Sequence, residues 1–356
     1  MPSIVLVTGV SRYLGGAFAR ALSADDSVSR IIGVDVVPPP HPLGRAEFVR
    51  ADIRNPLIGK IIAQSAVDTV VHMNVIATPV SAGGRVSQKE INVIGTMQLL
   101  AACQKADSLT RLVVKSSAAV YGSSPRDPAI FTEDMGPKSL PRTGFGKDSV
   151  EVEGYVRGFA RRRPDVGITT LRLANVIGPG IRTAMTDYFG MPVVFAPFGF
   201  DARLQFVHED DATGSMVAAT VAPQSFGNVN VAGDGVITVG QAAAMVGRPV
   251  VPVPLPAVGI IGGLVKRTGL ADFSDDQMQY LAFGRGLDTT KMRTALGFQP
   301  LYTTREAFTD FASHVPDLIP GSGAIGGLVR GAGDMAQDVA GNAALVVAHA
   351  LSGKSS

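Results

Sequence analysis

Near its N-terminus the chain reads Val7-Thr8-Gly9-Val10-Ser11-Arg12-Tyr13-Leu14-Gly15-Gly16, an apolar β-branched run that passes through glycines directly into a helical pattern. A strand that becomes a helix over so few residues belongs to a parallel sheet in which crossover helices follow the strands. Such a turn aims the first N–H groups of the helix beyond the carboxyl end of the strand, where a pyrophosphate is the usual occupant.

The same alternation runs on through the first half. Segments 4–8, 30–35, 47–50, 68–72, 111–116 and 168–173 read as strands, with helical patterns at 14–23, 56–65, 88–106 and 145–163. This spacing predicts an α/β fold, a Rossmann-type doubly wound parallel sheet. Beyond Gly178-Pro179-Gly180 the alternation weakens and Pro and Gly become frequent. The expected organisation is a dinucleotide-binding Rossmann domain over 1–177, a smaller C-terminal substrate lobe over 178–318, and an Ala/Gly-rich helical or disordered tail over 319–356.

Charge narrows the partners. With 32 Lys and Arg against 30 Asp and Glu, and with the densest basic run (Arg161-Arg162-Arg163) stopped by Pro164, the chain lacks the stripe that nucleic acid requires. Cys103 is the only cysteine and the five histidines are scattered, so neither an intramolecular disulfide nor metal-ligand spacing is expected, and a reducing, cytoplasmic setting is. The longest uncharged apolar stretch, 249–265, carries Pro249, Pro252, Pro254 and Pro256. It cannot propagate a membrane helix of about 20 residues.

Two acids sharpen the turn into a cofactor site. Asp35 ends the second strand, 20 residues after Gly15, where a carboxylate accepts bonds from ribose hydroxyls. Asp52, after the third strand, is placed to meet the adenine amino group. Asp35 would face the 2'-phosphate of NADP, whereas Arg12, at the middle glycine position of the fingerprint, could pair with a phosphate. NAD is expected ahead of NADP.

Six motifs in order carry a resemblance. They are the glycine loop; Val70-Val71-His72; Asn92-Val93-Ile94-Gly95-Thr96; Ser116-Ser117-Ala118-Ala119-Val120-Tyr121-Gly122; Leu171 to Pro179; and Gln205-Phe206-Val207-His208-Glu209-Asp210-Asp211. Together, over about residues 3–315, they resemble the extended short-chain dehydrogenase/reductases, the NAD-dependent epimerase/dehydratase family, in its UDP-glucose 4-epimerase-like branch. The resemblance implies cofactor contacts from Gly9, Arg12, Tyr13, Leu14, Gly15, Asp35, Asp52, Ile53, Asn74 and Asn92. It implies a nucleotide-sugar substrate with Asn175 and Arg203 at its phosphates, and a homodimer through the helices at 88–106 and 145–163. His208 and Asp288 are expected to be structural.

The family's reaction moves a hydride between a sugar carbon and nicotinamide while a Tyr phenolate takes the hydroxyl proton, aided by a Lys four residues later and by a Ser. Ser117 matches that serine. The tyrosine has no counterpart, and Arg142-Thr143-Gly144-Phe145-Gly146-Lys147-Asp148-Ser149 fits the pattern in two registers. In one, Phe145 takes the tyrosine place and Ser149 the lysine place. In the other, Thr143 and Lys147 do. Ser117, Thr143, Lys147 and Tyr121, the last a possible substitute phenol, are therefore the catalytic candidates. Three readings stay open: an epimerase or dehydratase of nucleotide sugars, a non-catalytic NAD-binding sensor or scaffold, and an atypical NAD(P)-dependent reductase.

Overall fold

The computed structural model describes residues 3–77, 82–254 and 275–316. The tail expected at 319–356 lies outside the described residues.

Thirteen described strands, β1 to β13 in chain order, include seven that form one parallel sheet in the order β11-β6-β5-β4-β1-β2-β3. Its members are β1 (Ile4–Thr8), β2 (Arg30–Asp35), β3 (Glu47–Arg50), β4 (Thr69–His72), β5 (Arg111–Ser117), β6 (Gly167–Leu173) and β11 (Gly227–Val231). In β1, residues Val5 to Thr8 are all buried, as a central parallel strand covered on both faces must be. Val7 lies opposite Gly33 of β2 on one side and Val71 of β4 on the other. The strand order reverses between β1 and β4, and a crevice opens there at the carboxyl ends.

The two faces of the sheet have separate cores. One holds Val5, Val7, Val113 and Leu171 against Phe18 and Leu22 of α1 (Tyr13–Leu22) and Met216 and Ala219 of α7 (Glu209–Val221). The other holds Leu6, Val70, Leu112 and Val114 against α2 (Leu57–Gln64), α4 (Thr96–Gln104) and α5 (Gly144–Arg162). Ahead of α4 come α3 (Arg85–Lys89) and a π-helical turn, Glu90–Gly95. Such turns re-aim side chains.

Residues 209–231 return to the large sheet, so it takes chain from both sides of residue 177: α7 packs against α1, and β11 adds a strand beside β6. The rest of the C-terminal part has its own core around Tyr188, Phe189, Phe206 and Phe308. That core is framed by three strand pairs: β7 (Asn175–Ile177) with β10 (Phe206–His208), β8 (Val194–Pro197) with β13 (Val250–Val253), and β9 (Arg203–Leu204) with β12 (Ile237–Thr238). The helices α6 (Ala184–Phe189), α8 (Val239–Met245), α9 (Asp275–Phe283), α10 (Thr290–Thr294) and α11 (Thr304–Ser313) complete the described α-helices. Among the described residues no helix is long and apolar enough to cross a membrane, and no group of three His, Cys, Asp or Glu is arranged to hold a metal.

Candidate functional site

The glycine turn is built by contact. Gly9 has φ +78°, and a Cβ there would lie 3.0 Å from Asn74, while a Cβ on Gly15 would meet the carbonyl oxygen of Gly9 at 2.0 Å. Only glycine lets α1 start this close to β1. Arg12 is the N-cap of α1, and its N–H donates to the Gly9 carbonyl at 3.1 Å. Asp35, 5% exposed, accepts from the N–H groups of Ser11 (3.0 Å) and Val36 (2.7 Å). It thereby ties the end of β2 to the glycine turn. Among the described residues the Asn74 side-chain oxygen, buried beside Gly9, has no hydrogen-bond partner, so it is free to accept from a donor that the chain does not supply.

Asp52 and Ile53, two expected cofactor residues, have partners within the chain. Both Asp52 oxygens accept from Arg54, the closest at 2.7 Å, and that pair holds the Asp52 carboxyl below its ordinary range. The Ile53 side chain sits in the core against Gly95. Asn92, on the π turn and fully buried, clamps the backbone of Ile76 from both sides: its oxygen accepts from the Ile76 N–H (2.7 Å) and its NH2 donates to the Ile76 carbonyl (2.9 Å). It positions the loop after β4 and touches the cavity only through Ile76.

A cavity of about 390 Å³ opens where the sheet meets the C-terminal part. Its wall takes Arg12, Tyr13 and Leu14 from the glycine turn, Met73, Val75, Ile76 and Ala77 from the loop after β4, and Lys115, Ser116 and Ser117 from β5. Phe145 and Gly146 from α5, Asn175, Arg182, Tyr280 and Arg285 add to it. Four cations and no carboxylate stand among these lining residues. Arg182 pairs with Asp187 at 2.7 Å, and Arg285 donates to the Gly122 carbonyl at 2.8 Å with its guanidinium 5.2 Å above the Tyr280 ring.

The catalytic candidates divide. Ser117 lines the cavity and its oxygen accepts from the Ala119 N–H at 3.1 Å. Thr143 is the exposed N-cap of α5, off the wall. The Lys147 ammonium, 45% exposed, lies 4.0 Å from Glu151 on the outside of the helix. Phe145 is on the wall, and Ser149, four residues on, is buried. Tyr121 is 1% exposed behind the wall: its hydroxyl donates to Asn230 (2.8 Å), accepts from Arg172 (2.8 Å), and its ring stacks on Phe131. Burial raises its phenol pKa. Arg172 is also bound to Glu153 at 2.7 Å, a buried pair that fixes α5 against β6.

On the substrate side, Asn175 lines the cavity, as does Tyr280, whose hydroxyl donates to the Gln205 carbonyl at 3.3 Å, whereas Arg203 is exposed and off the wall. Lys115 and Arg285 are wall residues that the motif reading missed. Lys115 lies in an apolar strand run and Arg285 in a segment without a motif. The one signal was positional, since Lys115 precedes Ser117 by two and so shares its face of β5.

The family model for the NAD dependent epimerase/dehydratase family matches residues 5–232. An uncharacterised protein of Mycobacterium tuberculosis is 46% identical over 316 residues, which make up 87% of this chain and 83% of that relative. A probable UDP-arabinose 4-epimerase of Oryza sativa subsp. japonica is 28% identical over 186 residues, 49% of this chain and 45% of its own length. Among solved structures, the UDP-glucuronic acid 4-epimerase of Bacillus cereus, in complex with UDP-glucuronic acid and NAD, superposes with a TM-score of 0.67 at 19% identity. That match covers 88% of this chain and 98% of the other.

Proposed function

The chain belongs to the NAD dependent epimerase/dehydratase family, and from that premise we propose that it binds NAD at the glycine turn and a nucleotide sugar in the adjoining cavity, with hydride transfer between them slow or absent. The observation that carries this reading is Phe145 on the cavity wall with Ser117, while Thr143, Lys147 and Tyr121 are off it. A phenylalanine keeps the ring and has no proton to exchange.

The turn fits the cofactor: Gly9 and Gly15 leave room that a Cβ would fill, Asn74 offers an unpartnered acceptor, and Asp35 stands at the end of β2 for ribose hydroxyls. NAD supplies the hydride acceptor when bound. This chain's own part is to bind and orient. Asn175 and the cationic wall hold the phosphates of the nucleotide sugar, and Ser117 bonds a sugar hydroxyl. The remaining wall phenols are poor bases. The Tyr13 hydroxyl donates to Glu209 at 2.6 Å, and burial together with that carboxylate pushes its pKa far up. Burial also raises Tyr280.

Binding without robust turnover suits a sensor, scaffold or partner subunit. Ile94, on the π-helical turn ahead of α4, and Tyr155, on α5, are exposed and support a homodimer through those faces. The test is calorimetry with NAD, followed by a UDP-glucose/UDP-galactose interconversion assay on the NAD-saturated protein. Saturable binding with turnover well under ordinary epimerase rates supports the reading; no binding at millimolar NAD removes it.

A further inference from the structure

We propose that Arg85 is a positioning residue for the cavity: its guanidinium holds the Ile76 and Phe145 stretches of the wall at a fixed separation and so sets the shape of the space between them. For the identity of the ligand this rests on the nucleotide-sugar reading above, and for the geometry on hydrogen bonds alone. Arg85 opens α3 and is itself off the wall. Its fork reaches α5 at two points that bracket Phe145. Nη2 donates to the carbonyl of Gly144, the residue before Phe145, at 2.9 Å, and to Asp148 Oδ1, three residues after it, at 2.7 Å. Nη1 donates to Asp148 Oδ2 and, at 2.8 Å, to Gln88 Oε1. A planar guanidinium suits such a set, because its N–H bonds have fixed directions and a carboxylate takes two of them side by side.

The same knot grips Ile76. Gln88 Nε2 donates to the Ile76 carbonyl at 3.0 Å, next to the Asn92 bonds that hold both the carbonyl and the N–H of that residue. Asn92 Nδ2 also approaches Asp148 at 3.4 Å. Gln88, Asn92 and Asp148 are each fully buried, and a buried polar network whose members are satisfied fixes the segments it joins. Ile76 and Phe145 both line the cavity, so one guanidinium, through one carboxylate and two amides, positions wall segments from the loop after β4 and from α5. The glycine turn is built by other contacts, those of Gly9, Gly15 and Asp35.

The pair also accounts for how the first turn of α5 is held. Ser149, where the family's lysine would stand in this register, bonds back to the Phe145 carbonyl, and the cation that meets this turn comes from α3 instead. Charge and geometry are separable at position 85. A lysine there keeps a positive charge beside Asp148, but a point charge on a flexible stem does not hold Gly144, Asp148 and Gln88 together. Removing the charge outright strands a buried carboxylate, which is strongly destabilising whatever else Arg85 does. Replacing both partners by amides leaves no charge behind.

The test therefore uses Arg85→Lys in the full chain, with Arg85→Gln/Asp148→Asn as a second variant and circular dichroism to check that both fold. Arg45→Lys is the control: Arg45 donates to the carbonyls of Ser23, Asp25, Val28 and Ser29, an anchor of the same kind away from the cavity. The chain has no tryptophan, so Phe145→Trp, made in each background, supplies a single fluorescent reporter on the wall. In both Arg85 variants the indole at position 145 is expected to emit at longer wavelength and to be quenched more readily by acrylamide. Calorimetry on the NAD-saturated protein, with Phe145 in place, is expected to show UDP-glucose affinity down about tenfold or more and NAD affinity changed less than about threefold. Arg45→Lys should alter none of these. An unchanged indole in both Arg85 variants overturns the positioning role, and so does a loss of affinity shared equally by NAD and UDP-glucose or reproduced by Arg45→Lys. A changed indole with unchanged UDP-glucose affinity keeps the placement of Phe145 and overturns its part in binding. If the parent chain binds neither ligand, the nucleotide-sugar reading fails and the indole alone decides the role of Arg85.

Discussion

The Ser149 hydroxyl donates to the backbone carbonyl of Phe145 at 2.9 Å, one turn earlier in α5. These are the positions of the family's tyrosine and lysine in the register that places Phe145 on the cavity wall. One carries a ring without a hydroxyl, and the other a hydroxyl satisfied within its own helix. Neither is a phenol or an ammonium, while the helix that bears them is packed on β5 and β6 through Glu153.

Restoring the relay should therefore depend on register. The Phe145→Tyr/Ser149→Lys double variant is expected to raise UDP-glucose/UDP-galactose interconversion at least tenfold over the parent chain, in keeping with the 10²- to 10⁴-fold that a positioned acid or base typically contributes. Thr143→Tyr, which places the phenol off the wall, should leave it unchanged. A coupled assay on NAD-saturated protein distinguishes them.

Gly15→Ala puts a methyl group 2.0 Å from the Gly9 carbonyl oxygen, in backbone that cannot move without separating α1 from β1. We expect a loss of about 1–3 kcal/mol in stability by urea unfolding. NAD affinity should fall in parallel, because the same turn carries the cofactor.

His72 makes acid costly to the fold. Its pKa in the folded chain is about 3, below the ordinary 6.5, so between those values the unfolded chain binds a proton that the folded chain does not. Stability should fall as pH drops from about 6.5 towards 3. In His72→Gln, which keeps a polar group between Thr8 and Thr96, that slope should flatten by up to about one proton; unfolding midpoints from pH 7 to pH 4 measure it.

Lys115 gives the opposite window. Below about pH 8 its ammonium is charged in both states, and the folded chain bears the cost of burial in full; between about 8 and 10.5 the folded chain sheds the proton first and the cost is relieved. Lys115→Met should therefore stabilise the ligand-free protein at pH 7, by about 1–2 kcal/mol after allowance for its partial exposure. The gain should shrink towards pH 10. Thermal unfolding across that range reads both.

Much of this was legible in the sequence for physical reasons. Buried parallel strands read as β-branched runs, and the Gly9 to Gly15 turn has few other structural uses, so the first six strands and the position of the crevice followed from pattern alone. The return of β11 did not, because nothing local in Gly227–Val231 says which edge it joins. Thr143 with Lys147 and Phe145 with Ser149 have the same spacing, so the sequence leaves the register of α5 open; the packing of its first turn puts Phe145, and not Thr143, on the cavity wall. Asn92 sits in a family motif, yet in this structure its side chain bonds Ile76, a tertiary contact that no local pattern encodes.

A cavity that binds the cofactor without a proton relay should turn over slowly, and the turnover number for UDP-glucose/UDP-galactose interconversion, measured on protein that calorimetry shows to be saturated with NAD, reads this. A value below about 0.01 per second is the expected result, and turnover near the ordinary enzymatic rate of about 10 per second would contradict it.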